Sequence, residues 1–182
     1  MVRGSVWILG LGFLVGCGAK ATTAASTETT PASEPAPAAS TWEPPPLPTE
    51  TPAIKNLGIT GPDKPWASMS YDDKEWYMVG KVHPVMREVF QSLDHEKYAG
   101  EKFECAPCHG DNAAERKYKM PSDHLSPVPA AGSEDWKAMQ NARVVKFMVQ
   151  RVTPSMAALI GEKSGEPGAG EAFSCWGCHP KQ

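Results

Sequence analysis

One five-residue pattern occurs twice in the chain, as Cys105-Ala106-Pro107-Cys108-His109 and as Cys175-Trp176-Gly177-Cys178-His179, 70 residues apart. The sequence upstream of both copies also matches itself without gaps. Of the 44 positions from 66 to 109, 15 are identical to their partners at 136 to 179. A repeat constrains the architecture more strongly than any single motif. We therefore expect two copies of one unit, at about residues 66–110 and 136–180, arranged as a pseudo-twofold pair.

The segment before each motif has the pattern of a helix. Met78, Val82, Met86 and Val89 share one face at helical spacing, and no stretch shows sustained strand alternation. Pro84 predicts either a kink or a new helix.

In the second copy, Thr153-Pro154 favours a new helix, because threonine is a good N-cap and proline suits the first helical position. Ser133 predicts the start of another helix, running to about Val152.

The CxxCH pattern is typical of covalent haem attachment, in which two thiols form thioethers and the following histidine binds the iron. Two other interpretations are a redox dithiol and a zinc site built from both cysteine pairs. In both copies a histidine directly follows the second cysteine, which favours haem attachment over a redox dithiol or a zinc site. We therefore predict two covalently bound haem c groups in an all-α fold with few or no strands, a duplicated helix–turn–haem-helix unit. The predicted attachment residues are Cys105, Cys108, Cys175 and Cys178, and the predicted iron ligands are His109 and His179.

The second axial ligand of each iron is expected to come from upstream, because only three residues follow His179. Apart from the motif histidines, no histidine is paired between the copies, whereas three methionine pairs are: 69/139, 78/148 and 86/156. We favour Met86 and Met156, which are nearest to their motifs and each follow a proline by two positions. Met78 and Met148 remain the alternative, and core packing is the ordinary role of any methionine.

The first residues have the features of a bacterial export signal. Arg3 precedes an apolar run of about ten residues, which is too short to span a bilayer. The run ends in Leu14-Val15-Gly16-Cys17, which resembles the lipobox of bacterial lipoproteins. That resemblance implies cleavage before Cys17 and lipid on its sulfur, hence attachment to a bacterial membrane facing the periplasm or cell surface. An ordinary secretory signal is the alternative.

The predicted domains follow from composition. Residues 1–16 are the signal peptide, and 17–60 form a Pro-, Ala- and Thr-rich disordered linker with few large apolar residues. Residues 61–182 form the dihaem domain. The net charge of −3 argues against a nucleic-acid partner.

A methionine on one helix, a turn and then a CxxCH helix is similar to the repeating unit of the multihaem cytochrome subunit of photosynthetic reaction centres. The similarity covers roughly residues 76–110 and 146–180. It implies a local twofold haem pair with Met86 and Met156 as ligands. This sequence departs from that family in having two haem motifs rather than four and a longer connection from methionine to cysteine, so photosynthesis is not implied.

The predicted function is electron transfer rather than catalysis, because two six-coordinate irons leave no open position for a substrate. The chain would relay electrons between a membrane complex and another redox protein. The alternatives are a haem enzyme such as a dihaem peroxidase, which needs one open iron position, and a non-catalytic haem subunit of a respiratory complex.

Overall fold

The computed structural model describes residues 41–100 and 103–182. The predicted signal peptide, Cys17 and the linker up to residue 40 lie outside the described residues. The helices are α1 (Pro52–Leu57), α2 (Tyr71–Tyr77), α3 (His83–Leu93), α4 (Ala106–His109), α5 (Glu134–Met139), α6 (Arg143–Phe147) and α7 (Thr153–Leu159), with 3₁₀ turns at Trp66–Ser68 and Cys175–Gly177. The described ranges contain no sheet, only two isolated β-bridges. The predicted mainly helical class is thereby confirmed.

Both copies of the repeat contain a wide helical turn at the same place. In the first copy, α2 passes into α3 through a π-helical turn at Met78–Val82. In the second, α6 passes into α7 through a π-helical turn at Met148–Val152. The two turns are 70 residues apart, which is the offset of the sequence repeat. The repeat in the sequence is therefore also a repeat in the backbone.

The wide turn explains how a proline is accommodated inside each helical run. A proline has no N–H, and its ring clashes with the carbonyl four residues earlier. In the π-helical turn, the N–H of Thr153 donates to the carbonyl of Met148, five residues back, which widens the turn before Pro154. The prediction that Thr153 caps a new helix is therefore wrong. Its backbone is helical, with φ −59° and ψ −50°, and the helix runs through it.

The helix predicted at Ser133 begins where expected but ends early. The Ser133 hydroxyl accepts a hydrogen bond from the N–H of Trp136 at 3.1 Å, as an N-cap does. Helix α5 then ends at Met139, and Ala142 has an extended backbone with φ −64° and ψ 139°. The extended residue separates α5 from α6, so a single helix running to Val152 is wrong.

The core joins the two copies. Val85 and Val89 of α3 are fully buried, as are Phe147 of α6 and Leu159 of α7. Phe90 of α3 meets Phe147 edge-on, with ring centroids 5.7 Å apart. Since the described residues also fall within one compact unit, the copies are not separate domains.

The folded chain begins earlier than the sequence predicts. Residues 42–57, which composition assigns to the disordered linker 17–60, pack against the second copy and α3. Arg151 donates from Nε to the Pro45 carbonyl at 2.7 Å and from a terminal nitrogen to the Pro44 carbonyl at 3.0 Å. Extended proline-rich backbone has no internal hydrogen bonds, so its carbonyls are free to bind such a side chain. The linker boundary at residue 60 is therefore corrected.

A buried carboxylate holds α1 in place. Glu88 of α3 is only 7% exposed. It accepts hydrogen bonds from the Thr51 hydroxyl at 2.6 Å and from the N–H groups of Ala53 and Ile54, both at 2.7 Å. These two N–H groups lie in the first turn of α1 and have no partner within the helix. Glu88 thus supplies their acceptors and fixes Ile54 in the core.

Replacing Glu88 with alanine is expected to lower the free energy of unfolding by about 2–4 kcal/mol, because buried donors then lose a charged acceptor. Glu50 provides the matched control. Its side chain is 82% exposed and, in the described part of the chain, pairs with Lys55 at the surface, so Glu50→Ala should change stability by less than about 1 kcal/mol. Denaturant unfolding of the two variants measures both. Equal effects would contradict the role assigned to Glu88.

Candidate haem-binding site

Both CxxCH motifs form a single helical turn. In the first, the His109 N–H donates to the Cys105 carbonyl at 2.9 Å, and in the second the His179 N–H donates to the Cys175 carbonyl at 2.8 Å. Side chains three and four residues apart lie on the same face of a helical turn. Each turn therefore presents two thiols and one imidazole on one side.

The thiols of the two motifs are free; Cys105 is exposed and the other three are partly buried. None of these four cysteines is in a disulfide. Burial raises the pKa of Cys108 to about 11 and that of Cys178 to about 12, with neighbouring thiols adding to both shifts. Cys108 is among the neighbours that raise the pKa of Cys178. The second cysteines of the two motifs therefore lie near each other.

Made without haem attachment, the chain is expected to react with iodoacetamide fastest at exposed Cys105 and slowest at Cys108 and Cys178. Thiolate is the reacting form, and at pH 8 a thiol of pKa 11 is deprotonated to roughly one part in a thousand. Peptide mass spectrometry over time gives the three rates. Alkylation of Cys108 and Cys178 should become faster between pH 8 and 10. Equal alkylation rates for Cys105, Cys108 and Cys178 at pH 8 would contradict the burial of Cys108 and Cys178.

The same shifts have a consequence for stability. The folded pKa values of Cys108 and Cys178 lie above the ordinary value of 9.0. Cys108 and Cys178 therefore make their full contribution to the stability of the haem-free fold below pH 9. It is lost as the pH rises from 9 through the folded values, since the unfolded chain then releases protons that the folded chain retains.

The two motif histidines have different surroundings. Burial lowers the pKa of His109, opposed by a backbone hydrogen bond with Tyr118 and aided by the charge of Arg116. Its buried Nδ1 has no partner among the described residues. The Nδ1 of His179 is 2.9 Å from the Ser126 carbonyl. A carbonyl at Nδ1 fixes the proton there and leaves Nε2 as the metal-binding nitrogen.

One residue of the loop between the copies touches both motifs. Ser122 is fully buried. Its N–H donates to the Cys178 carbonyl at 2.9 Å, and its hydroxyl donates to the His109 carbonyl at 3.0 Å. Nothing in the sequence pattern indicates this residue, because it lies outside the repeat in a proline-rich loop.

Helix α3 presents one face to the segment that leads into the first motif. The Nε2 of His83 is 2.7 Å from the Phe103 carbonyl, and the Phe90 ring lies 5.1 Å from the Phe103 ring. Met86 stands between these residues at i+3 from His83, so it lies on the same face. Met86 is 6% exposed and belongs to the same core cluster as Phe103.

Helix α7 has the corresponding relation to the second motif. Thr153 occupies the position of His83 in the repeat, and its side chain hydrogen-bonds Cys175, which opposes the rise in the Cys175 pKa caused by burial. Met156 again follows at i+3. It is half-buried and packs against the core, as do Met78 and Met148. All four candidate methionines therefore lie on the two helical runs that reach the motifs.

The donor set fits haem c. The residues at each motif supply two thiols outside any disulfide for thioether bonds and one imidazole for iron, and the Nδ1 of His109 is a buried polar atom with no hydrogen-bond partner among the described residues. Across residues 41–100 and 103–182, no three or more His, Cys, Asp or Glu side chains are grouped to hold a metal ion.

Comparisons with protein families, with curated proteins and with solved structures find no match to this chain. Within the described part of the chain, no helix is both long and apolar enough to cross a membrane.

Proposed function

We propose that this chain is an exported c-type cytochrome that binds two haem groups covalently and transfers electrons. The observation that carries the proposal is the matched pair of CxxCH turns. Each has the same backbone hydrogen bond from its histidine to its first cysteine, and each has unpaired thiols. Ser122 hydrogen-bonds a backbone carbonyl of each motif, which suits two haems that exchange electrons.

The residues have separate roles in this proposal. Cys105 and Cys108 hold one haem, and Cys175 and Cys178 hold the other. Each haem supplies one-electron chemistry at its iron when bound. His109 and His179 would each supply one ligand to an iron, and the Ser126 carbonyl orients the His179 ring through Nδ1.

We assign the second axial positions to Met86 and Met156. Contacts of the flanking residues support this choice over Met78 and Met148. On α3, the neighbours of Met86 on the same face touch Phe103, two residues before Cys105. On α7, Thr153 touches Cys175 and precedes Met156 by three residues. Methionine paired with histidine raises the reduction potential of a haem.

With both axial positions filled, neither iron is open to a substrate, which favours an electron carrier over a haem enzyme. Lipid on Cys17 would attach the carrier to a membrane, where a membrane complex and a second redox protein are the expected partners. Residues 42–57 pack on the helical core and are therefore not part of a linker from Cys17.

The direct test is expression in bacteria that attach haem c, followed by intact mass and absorption spectroscopy. Two haems should remain bound after denaturation, and the resting spectrum should be low-spin. Absence of covalent haem, especially with bound zinc instead, would contradict the proposal. A high-spin, five-coordinate haem in the resting protein would favour a haem enzyme such as a peroxidase.

A further inference from the structure

Ser122 connects the two motifs through two hydrogen bonds. From the carbonyl of His109, the route passes through the Ser122 hydroxyl and backbone N–H to the carbonyl of Cys178. It contains one residue and two hydrogen bonds of 3.0 and 2.9 Å. One end is the predicted iron ligand of the first motif, and the other is a predicted thioether residue of the second.

Arg116 holds the serine in this position. A terminal nitrogen of Arg116 lies 3.3 Å from the Ser122 hydroxyl, and the other lies 3.2 Å from the Lys119 carbonyl and 3.4 Å from that of Pro121. Arg116 also pairs with Asp123 at 2.8 Å. A hydroxyl can donate one hydrogen bond and accept others, so Ser122 donates to His109 and accepts from Arg116. The contacts on both sides of Ser122 therefore fix its orientation.

We propose that Ser122 is a positioning residue that sets the two haems against one another and couples them for electron exchange. The inference rests on the proposed function. In the exchange, the iron of one haem would be oxidised from ferrous to ferric, and the iron of the other haem would be reduced from ferric to ferrous. One electron moves, no bond forms or breaks, and no proton is transferred. The hydroxyl is required because, among the described contacts of Ser122, it makes the one to the His109 carbonyl.

The test compares two buried serines in the holoprotein. Ser122→Ala removes the hydrogen bond to the His109 carbonyl and keeps the N–H to Cys178. Ser155→Ala is the control, because the Ser155 hydroxyl is equally buried but has no hydrogen-bond partner among the described residues. Ser122→Thr retains a hydroxyl, and Arg116→Gln weakens the support of Ser122 without changing the serine.

Three measurements apply to every variant: the rate of electron equilibration between the haems after flash reduction, the magnetic interaction of the two ferric irons, and the unfolding midpoint. Ser122→Ala should slow equilibration by about tenfold or more, the scale on which small misplacement of reacting groups acts, and should reduce the magnetic interaction. Arg116→Gln should change both in the same direction, Ser122→Thr should restore them, and Ser155→Ala should leave them unchanged.

The outcomes separate this inference from the proposed function. A chain with two covalent haems whose exchange rate and magnetic interaction are unaffected by Ser122→Ala overturns the positioning role alone. Equal losses in the Ser122 and Ser155 variants, in step with lower unfolding midpoints, also overturn it, because the effect is then general to the fold. A chain without covalent haem overturns the proposed function itself.

Discussion

Replacing Met86 with histidine is expected to remove the methionine–iron absorption band of one haem and to lower its midpoint potential by on the order of 0.1–0.3 V, because imidazole stabilises ferric iron more than a thioether does. Met156→His should do the same for the other haem. The expectation rests on α3, where the contacts of His83 and Phe90 with Phe103 leave Met86 on the face towards the first motif. Absorption spectroscopy and redox titration give both quantities.

The matched controls are Met78→His and Met148→His, at the equivalent positions of the two π-helical turns. Each should retain both methionine bands and both potentials. If the bands persist in the Met86 and Met156 variants but disappear in the controls, the assignment of the sixth ligands is wrong. Each variant must still carry two haems for the comparison to hold.

The features that the sequence predicts best are those repeated within it. The 70-residue offset predicts where each helical run and each CxxCH turn lies, and the backbone follows that offset even in the π-helical turns. Ser133 also starts its helix as its residue type predicts. Repetition and capping are local properties, so they can be recognised in one sequence.

The features that the sequence does not predict depend on tertiary contacts. Thr153-Pro154 has the composition of a helix start, yet a widened turn lets the helix continue through it. The proline-rich residues 42–48 have the composition of a linker, yet Arg151, about 106 residues away in the chain, binds their carbonyls. Ser122 belongs to neither copy of the repeat. Composition and periodicity contain no information about such distant partners.

The second large effect concerns haem attachment itself. With Cys175 and Cys178 both replaced by serine, the chain is expected to carry one haem instead of two, because a hydroxyl does not form the thioether that holds haem c. The matched control is Cys17→Ser. That variant should keep both haems and move from the membrane fraction to the soluble fraction, since several acyl chains on Cys17 would otherwise anchor it.

The remaining haem in the Cys175→Ser, Cys178→Ser variant tests how independent the copies are. The two copies share one core, and Ser122 binds a carbonyl of each motif. We therefore expect the first haem to stay attached through Cys105 and Cys108 but the unfolding midpoint to fall, because the second haem no longer packs beside it. Intact mass counts the haems, and thermal unfolding followed at the haem band gives the midpoint. A variant that retains two covalent haems would contradict attachment at the second motif, and an unchanged midpoint would mean that the copies fold independently despite their common core.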